Sequence, residues 1–209
     1  MINKINNYFF LSVLLLMIVI LPNLALPQTT ENENLIEKTS KYLNNIYTLT
    51  SKFIQIDQYG NSLTGILFIE KPGKMRIEYD KPEQILIVVD GYYLIYVDKE
   101  IDQATYIDID DTPAKYLLDP NWSFGSDAVE IYHTIADGDL ISIFARPSDK
   151  NSKEKIKFVF KDNPLELRQW EILDQKKKSI TITLYEVELN KDLKSNLFKY
   201  EEYDLFDKD

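Results

Sequence analysis

The chain has 209 residues, a formal net charge of -10, no cysteine and a single histidine. The acidic balance argues against nucleic acid and anionic lipid surfaces as partners. The lack of cysteine excludes disulfides and a lipid anchor on an N-terminal cysteine. The length suits one domain with a sizeable core.

The first 25 residues have the pattern of a secretory signal peptide. Lys4 precedes an apolar run from Tyr8 to Leu21, and Ala25 supplies a small residue at the expected cleavage position. A membrane-spanning helix needs about 20 apolar residues, so a retained anchor is the weaker alternative. The sequence therefore predicts a signal peptide over residues 1–25, a flexible polar leader over residues 26–34 and an exported domain over residues 35–209.

An amphipathic helix is predicted from Leu35 to Tyr47, because apolar residues recur there at intervals of three, four and seven. From Thr48 the apolar period changes to two. Short runs rich in β-branched and aromatic residues follow, separated by turn residues at hairpin spacing, and the last run covers residues 196–200. The pattern predicts about eleven strands in one antiparallel sheet, curled or closed.

The segment 112–120 interrupts the strand pattern and predicts a short helix. Thr112 is placed to cap this helix, and Pro113 would occupy its first position. The helix would carry Tyr116 and Leu117 into the sheet. The predicted architecture is thus one large sheet with a helix before it and a helical plug inside it.

No recognisable catalytic or metal-binding arrangement is present. His133 lies in a strand-like run, and the chain has no nucleophile motif to pair with it, so an exposed structural histidine is favoured. The aspartates from Asp98 to Asp111 lack the glycine and glutamate spacing of a calcium loop. No phosphate-binding glycine motif occurs. The chain is therefore predicted not to be an enzyme and to use no cofactor or metal ion.

Three predicted strands, at residues 66–69, 85–89 and 92–96, are apolar on both faces. An antiparallel sheet with one face in water should alternate instead. These strands need a cover on each side. An ordinary tight core explains the pattern, and a sheet interior that holds an acyl chain explains it equally well.

A set of short motifs follows in a fixed order along the chain. The motifs are Phe53-Ile54-Gln55, Gly65, Lys71-Pro72-Gly73, Asp90-Gly91, Leu94 with Tyr96, Gln103-Ala104-Thr105, Thr112-Pro113 and Leu117-Leu118, with weaker agreement at residues 167–170 and 196–198. Each motif is short, but their order and spacing together resemble the LolA family of periplasmic outer-membrane lipoprotein carriers. The resemblance covers essentially all of residues 35–209.

This resemblance implies a mainly β fold, an incomplete β-barrel with a helical lid over an apolar cavity. It implies a monomeric periplasmic carrier that accepts acylated lipoproteins from a LolCDE-like inner-membrane transporter and delivers them to a LolB-like outer-membrane receptor. LolB is anchored through a lipidated cysteine, so a chain without cysteine fits the soluble carrier. The alternative is a LolA-like module that binds lipoproteins for interaction or envelope-stress sensing without ferrying them.

Strand alternation and the resemblance together predict the lipid-binding residues. Met75, Ile77 and Tyr79 share one face of their strand, Leu67, Ile69 and Lys71 share a face of another, and both sets are predicted to point into the cavity. Leu43, Ile46, Tyr116 and Leu117 would line the lid, with Phe53, Leu94 and Tyr96 below it. Ordinary core packing is the alternative for each apolar residue.

Position 71 departs from the family pattern. The family commonly has arginine there, and its side chain hydrogen-bonds to the lid. Lys71 has three donors but not the planar fork of arginine. It is predicted to lock the lid, with a plain turn lysine as the alternative.

Overall fold

A computed structural model describes residues 28–120, 124, 129–148, 153–173 and 178–200 of the chain. The predicted signal peptide lies outside the described residues. The chain divides into two units, residues 1–31 and 32–209. In the first unit the described residues belong to the start of a helix. The second unit holds the rest of that helix and every described strand.

The first helix, α1, spans Gln28–Asn44 and so begins at Gln28 rather than at Leu35. The predicted flexible leader is therefore helical from Gln28 onwards, which corrects the prediction for residues 28–34. Its polar residues carry no apolar period, and such a period marks a helix only where the helix meets a core. Among the described residues, no helix has the length and apolar character needed to cross a membrane.

In the described residues, α1 is followed by eleven strands and by a second helix, which is short. The strands are β1 (Thr48–Asp57), β2 (Ser62–Glu70), β3 (Lys74–Tyr79), β4 (Ile85–Asp90), β5 (Tyr93–Asp98), β6 (Gln103–Asp108), β7 (Val129–Asp137), β8 (Leu140–Pro147), β9 (Lys155–Lys161), β10 (Glu166–Leu173) and β11 (Ser179–Leu189). The helix α2 (Ala114–Leu118) lies between β6 and β7. Turns of 3-10 helix cover Ile109–Asp111 and Ser195–Phe198.

All eleven strands form one antiparallel sheet in the order β6-β5-β4-β3-β2-β1-β11-β10-β9-β8-β7. The pairing of β1 with β11 joins two runs of hairpins, and β6 and β7 are left as edges. This confirms the predicted mainly β fold with a single, unclosed antiparallel sheet.

The sheet curls strongly. Leu94 on β5 and Ile156 on β9 line one cavity although seven strand spacings separate them. At about 4.8 Å per spacing, a flat sheet would place them roughly 34 Å apart. The face that carries these two residues is therefore concave, and the opposite face is convex.

The concave face and the second half of α1 share the main hydrophobic core. Leu43 of α1, Phe53 of β1, Leu67 of β2, Phe158 of β9 and Leu184 of β11 are all buried in it. Because these residues come from both halves of the sheet, the core holds the curl in place.

The convex face of β3, β4 and β5 is covered by the end of the described chain. Leu86, Val88, Ile95 and Val97 form a separate buried cluster against which Tyr200 packs. Close by, Arg76 donates a hydrogen bond from Nη1 to the carbonyl of Leu197 at 3.2 Å, and Phe198 is buried. Strands β4 and β5 therefore have a cover on each side, as predicted, whereas Ile66 and Phe68 on the convex face of β2 are only half-buried.

Two local predictions were wrong. The predicted strand over residues 196–200 is absent, because residues 196–198 lie in a 3-10 turn and residues 199 and 200 in irregular chain. Five residues are too few to separate a strand period from a short apolar turn. Thr112 does not cap α2, because its hydroxyl donates to the carbonyl of Ile109 at 2.9 Å, and Pro113 stands at the cap position.

Candidate functional site

A cavity of about 300 Å³ lies on the concave face beneath α2. This volume is at the lower end of the roughly 300–1,000 Å³ range of small-molecule sites. Its lining is almost wholly apolar and comes from both halves of the sheet and from the segment that leads into α2. The lining residues are Gln55, Met75, Ile77, Tyr79, Ile87, Leu94, Thr112, Pro113, Ala114, Tyr116, Leu117, Ile156, Phe158, Trp170, Ile172, Ile180 and Ile182.

The strand register explains why the two predicted sets of strand residues lie on the same face. Leu67 of β2 pairs directly with Ile77 of β3, and Ile69 pairs with Met75. Directly opposed residues of an antiparallel pair project to the same side of the sheet. Leu67 and Ile69 therefore face the same concave side as Met75 and Ile77.

The structure divides the predicted lipid-binding residues into three groups. Those that line the cavity are Met75, Ile77, Tyr79, Leu94, Tyr116 and Leu117. Those that are buried in the adjoining core are Leu43, Ile46, Phe53, Leu67 and Ile69. Tyr96 is half-buried on the same face of β5 as Leu94 but does not line the cavity.

The opposite wall of the cavity is formed by residues that were not predicted from the sequence to bind lipid. Ile156 and Phe158 on β9, Trp170 on β10 and Ile182 on β11 all line it. Each of these strands alternates visibly in the sequence, which predicts an inward face. The pattern of one strand cannot show that the curl brings this face opposite β3 and β5.

Lys71 ties α1 to the turn between β2 and β3. Its Nζ donates a hydrogen bond to the carbonyl of Leu43 at 3.1 Å, in the last turn of α1. Helix C-terminal carbonyls carry partial negative charge and attract a cation. Burial lowers the pKa of Lys71 to about 8, and the nearby Asp119 carboxylate opposes that shift. The predicted lid-locking residue therefore contacts the helix that precedes the sheet.

Further polar contacts hold α1 against the far half of the sheet. Lys38 forms an ion pair with Asp162, which follows β9. The Leu167 amide donates to the Tyr42 hydroxyl at 3.2 Å, and burial raises the pKa of Tyr42. The second half of α1 is therefore fixed at several points along its length.

The short helix α2 has open space on two sides. The Gly73 amide donates to the Leu118 carbonyl at 3.1 Å, which ties the end of α2 to the turn before β3. A second cavity of about 460 Å³ is lined by Lys115, Tyr116 and Leu118 of α2 together with the turn residues Gly73 and Gly91. Tyr116 therefore borders both cavities, whereas Leu118 of the same helix is buried in the main core.

One polar pair stands in the apolar wall of the first cavity. The Tyr79 hydroxyl donates to Gln55 Oε1 at 2.9 Å. Burial raises the pKa of Tyr79 to about 12, so the hydroxyl keeps its proton at neutral pH. The Tyr79 ring packs edge-on against Phe53 with a centroid distance of 5.4 Å, which fixes its direction.

The structure offers no arrangement for metal binding or catalysis in the part that it describes. No group of three or more His, Asp or Glu side chains there could hold a metal ion. His133 is exposed, and its ring lies beside Phe144 at a centroid distance of 5.5 Å. The site is therefore suited to holding apolar groups away from water.

The chain is similar in sequence to a known protein family and to named relatives. The family described as outer membrane lipoprotein carrier protein LolA matches residues 44–201. The outer-membrane lipoprotein carrier protein of Azotobacter vinelandii is 26% identical over 186 residues, covering 84% of this chain and 88% of that protein. The protein of the same name from Nitrosomonas europaea is 27% identical over 199 residues, covering 89% and 93%. A solved LolA superfamily protein from Nitrosomonas europaea aligns with a TM-score of 0.45 at 8% identity, covering 80% of this chain and 97% of that one.

Proposed function

The chain belongs to the LolA family of outer membrane lipoprotein carrier proteins, which are carriers and not enzymes, and we propose that it ferries acylated lipoproteins across the periplasm. It takes them from a LolCDE-like transporter in the inner membrane and delivers them to a LolB-like receptor in the outer membrane. The proposal includes export through a signal peptide over residues 1–25, with residues 35–209 as the carrier domain.

The observation that carries the proposal is the apolar cavity beneath α2, which shields hydrocarbon from water. Burial of acyl chain is worth about 0.8 kcal/mol per CH₂, so a chain of about 15 methylenes gains on the order of 12 kcal/mol. An anchor with two or three such chains is larger than the cavity. Cargo binding therefore requires α2 to move outwards.

That movement makes release possible. In this structure, Tyr116 and Leu117 of α2 close one end of the cavity and are half-buried against the core. Cargo must displace them, so the net affinity is lower than acyl burial alone would give. A receptor that binds the acyl chains more tightly then takes the lipoprotein from the carrier with a decrease in free energy. The transporter supplies the energy for loading the carrier.

Lys71 sets how firmly the lid closes. Its bond to the Leu43 carbonyl holds the end of α1 beside the turn that also anchors α2. Lysine makes this contact with a single ammonium group, where arginine would offer a planar fork. Lys71 therefore holds the end of α1 less strongly than the arginine common in the family would.

A release assay tests the function. The purified protein is added to inner-membrane vesicles that contain the transporter, ATP and a labelled lipoprotein, and soluble complexes are counted. We expect a one-to-one soluble complex that passes its lipoprotein to membranes bearing the receptor. If an authentic carrier releases the lipoprotein under the same conditions and this protein does not, the proposal is wrong. Formation of the complex without delivery would point to a binding or sensing module instead.

A further inference from the structure

The cavity wall contains one side-chain amide, that of Gln55, and only half of it is used by the protein. Its Oε1 accepts the hydrogen bond of the Tyr79 hydroxyl at 2.9 Å. In the part of the chain that the structure describes, no acceptor pairs with the two N–H groups of Nε2. Because Gln55 is only half-buried, these N–H groups can donate to water or to a ligand in the cavity. The wall is therefore prepared for a ligand that carries an acceptor.

Gln55 stands towards the open end of the cavity. On β1, Phe53 is buried at 2% exposure, whereas Gln55 is half-buried. On the paired strand β11, Ile180 lines the cavity and is 37% exposed. The opposite end is closed by α2. A ligand with a polar group at one end and hydrocarbon at the other would therefore place its polar group beside Gln55.

The anchor of a bacterial lipoprotein has this shape, since ester carbonyls join its acyl chains to a glyceryl group. An ester carbonyl accepts hydrogen bonds and donates none, which complements the free N–H groups of Gln55. We propose that Gln55 is a specificity-determining residue that donates a hydrogen bond to an ester carbonyl of the bound diacylglyceryl anchor. This proposal rests on the proposed carrier function and deepens it.

The hydrogen bond from Gln55 also determines how the bound lipoprotein anchor is oriented in the cavity. With the ester group beside Gln55, the acyl chains run towards Met75, Leu94 and α2, and the polypeptide leaves at the end marked by Ile180. Tyr79 is a positioning residue, because its hydroxyl holds the amide with Nε2 free. The packing of its ring on Phe53 keeps that hydroxyl in place.

The test compares two synthetic lipopeptides with equal chain lengths, one with ester-linked and one with ether-linked chains. Wild type should bind the ester probe about 2- to 10-fold more tightly than the ether probe, the range that one net hydrogen bond provides. In Gln55→Met, which keeps the length of the side chain and loses the donor, the ratio should fall to about one through weaker ester binding. Ile54→Met, an apolar exchange on the convex face of the same strand, should keep the wild-type ratio.

The wild-type ratio alone can overturn the inference, so the test does not depend on the folding of a variant. Equal binding of the two probes by wild type would contradict the role of Gln55 and leave the carrier function standing. Failure of wild type to bind either probe would contradict both. Retention of the ester preference by Gln55→Met would assign that preference to another group and overturn the inference as well.

Discussion

Strands β4 and β5 are apolar on both faces, but the two faces are covered in different ways. On the convex face, Tyr200 packs onto the buried cluster of Leu86, Val88, Ile95 and Val97. On the concave face, the five-residue helix α2 leaves a cavity on each of two sides. The quality of the cover, rather than the apolar pattern of the strand, therefore distinguishes a binding site from a core.

The largest expected effect comes from placing a charge on the concave face. Ile77 lines the cavity, so Ile77→Glu would force acyl chains to share it with a carboxylate, at a cost of several kcal/mol. We expect lipoprotein loading to fall by about 100-fold or more. The matched control is Ile54→Glu on the convex face, where Ile54 is 37% exposed. Equal loading by the two folded variants in the release assay would remove the distinction between the faces.

A second comparison concerns two leucines on the concave side, one in the packed core and one that lines the cavity. Leu67 is 1% exposed in the core, so Leu67→Ala should lower the free energy of unfolding by about 2–5 kcal/mol. Leu117 already borders open space, so Leu117→Ala should cost less than about 1.5 kcal/mol and should strengthen lipopeptide binding by removing part of the lid. Denaturant unfolding measures the stabilities. A larger loss in Leu117→Ala than in Leu67→Ala would show that α2 is a fixed part of the core.

The convex cover should matter for stability and not for transport. Phe198 is 3% exposed and its ring also meets the Lys74 ammonium at 5.9 Å. We expect Phe198→Ala to lower the free energy of unfolding by about 3 kcal/mol. Below the unfolding midpoint, lipopeptide affinity measured by titration should equal that of wild type. Weakened binding by the folded variant would mean that the two faces are coupled.

The smallest predicted effect concerns the hydrogen bond from Lys71 to the Leu43 carbonyl, at the edge of the concave face. Lys71 has a pKa of about 8 in the folded protein against 10.5 for an exposed lysine. Between these values the unfolded chain binds more protons than the folded one, so stability rises with pH there. Relative to Lys71→Met, wild type should gain about 1–3 kcal/mol of unfolding free energy between pH 7.5 and 10.5. Parallel stability curves for the two proteins would contradict the burial of the charge.

Much of the sheet could be predicted because an alternating strand pattern records which residues face a core. Residues 74–79, for example, alternate between polar and apolar over the full length of β3. The start of α1 could not be predicted, since solvated helical turns carry no apolar signal. The 3-10 turn at residues 195–198 could not be predicted either, because its apolar residues are too few to show a period.

The site was harder to predict than the fold. Leu67 and Ile77 are neighbours on one face with the same chemistry, yet the first is core and the second lines the cavity. The position of α2 decides between them, and this position depends on contacts far apart in the chain. The wall formed by Ile156 and Trp170 depends likewise on the curl of the whole sheet.

The most direct test of the account asks whether cargo enters the cavity on the concave face. The chain has no cysteine, so a single introduced thiol reports on one position. The rates at which Ile77→Cys and Ile54→Cys react with a maleimide are measured with and without a diacyl lipopeptide. The account predicts that the lipopeptide strongly slows labelling of Ile77→Cys and leaves Ile54→Cys unchanged. Bound lipopeptide with unchanged labelling of Ile77→Cys would contradict it.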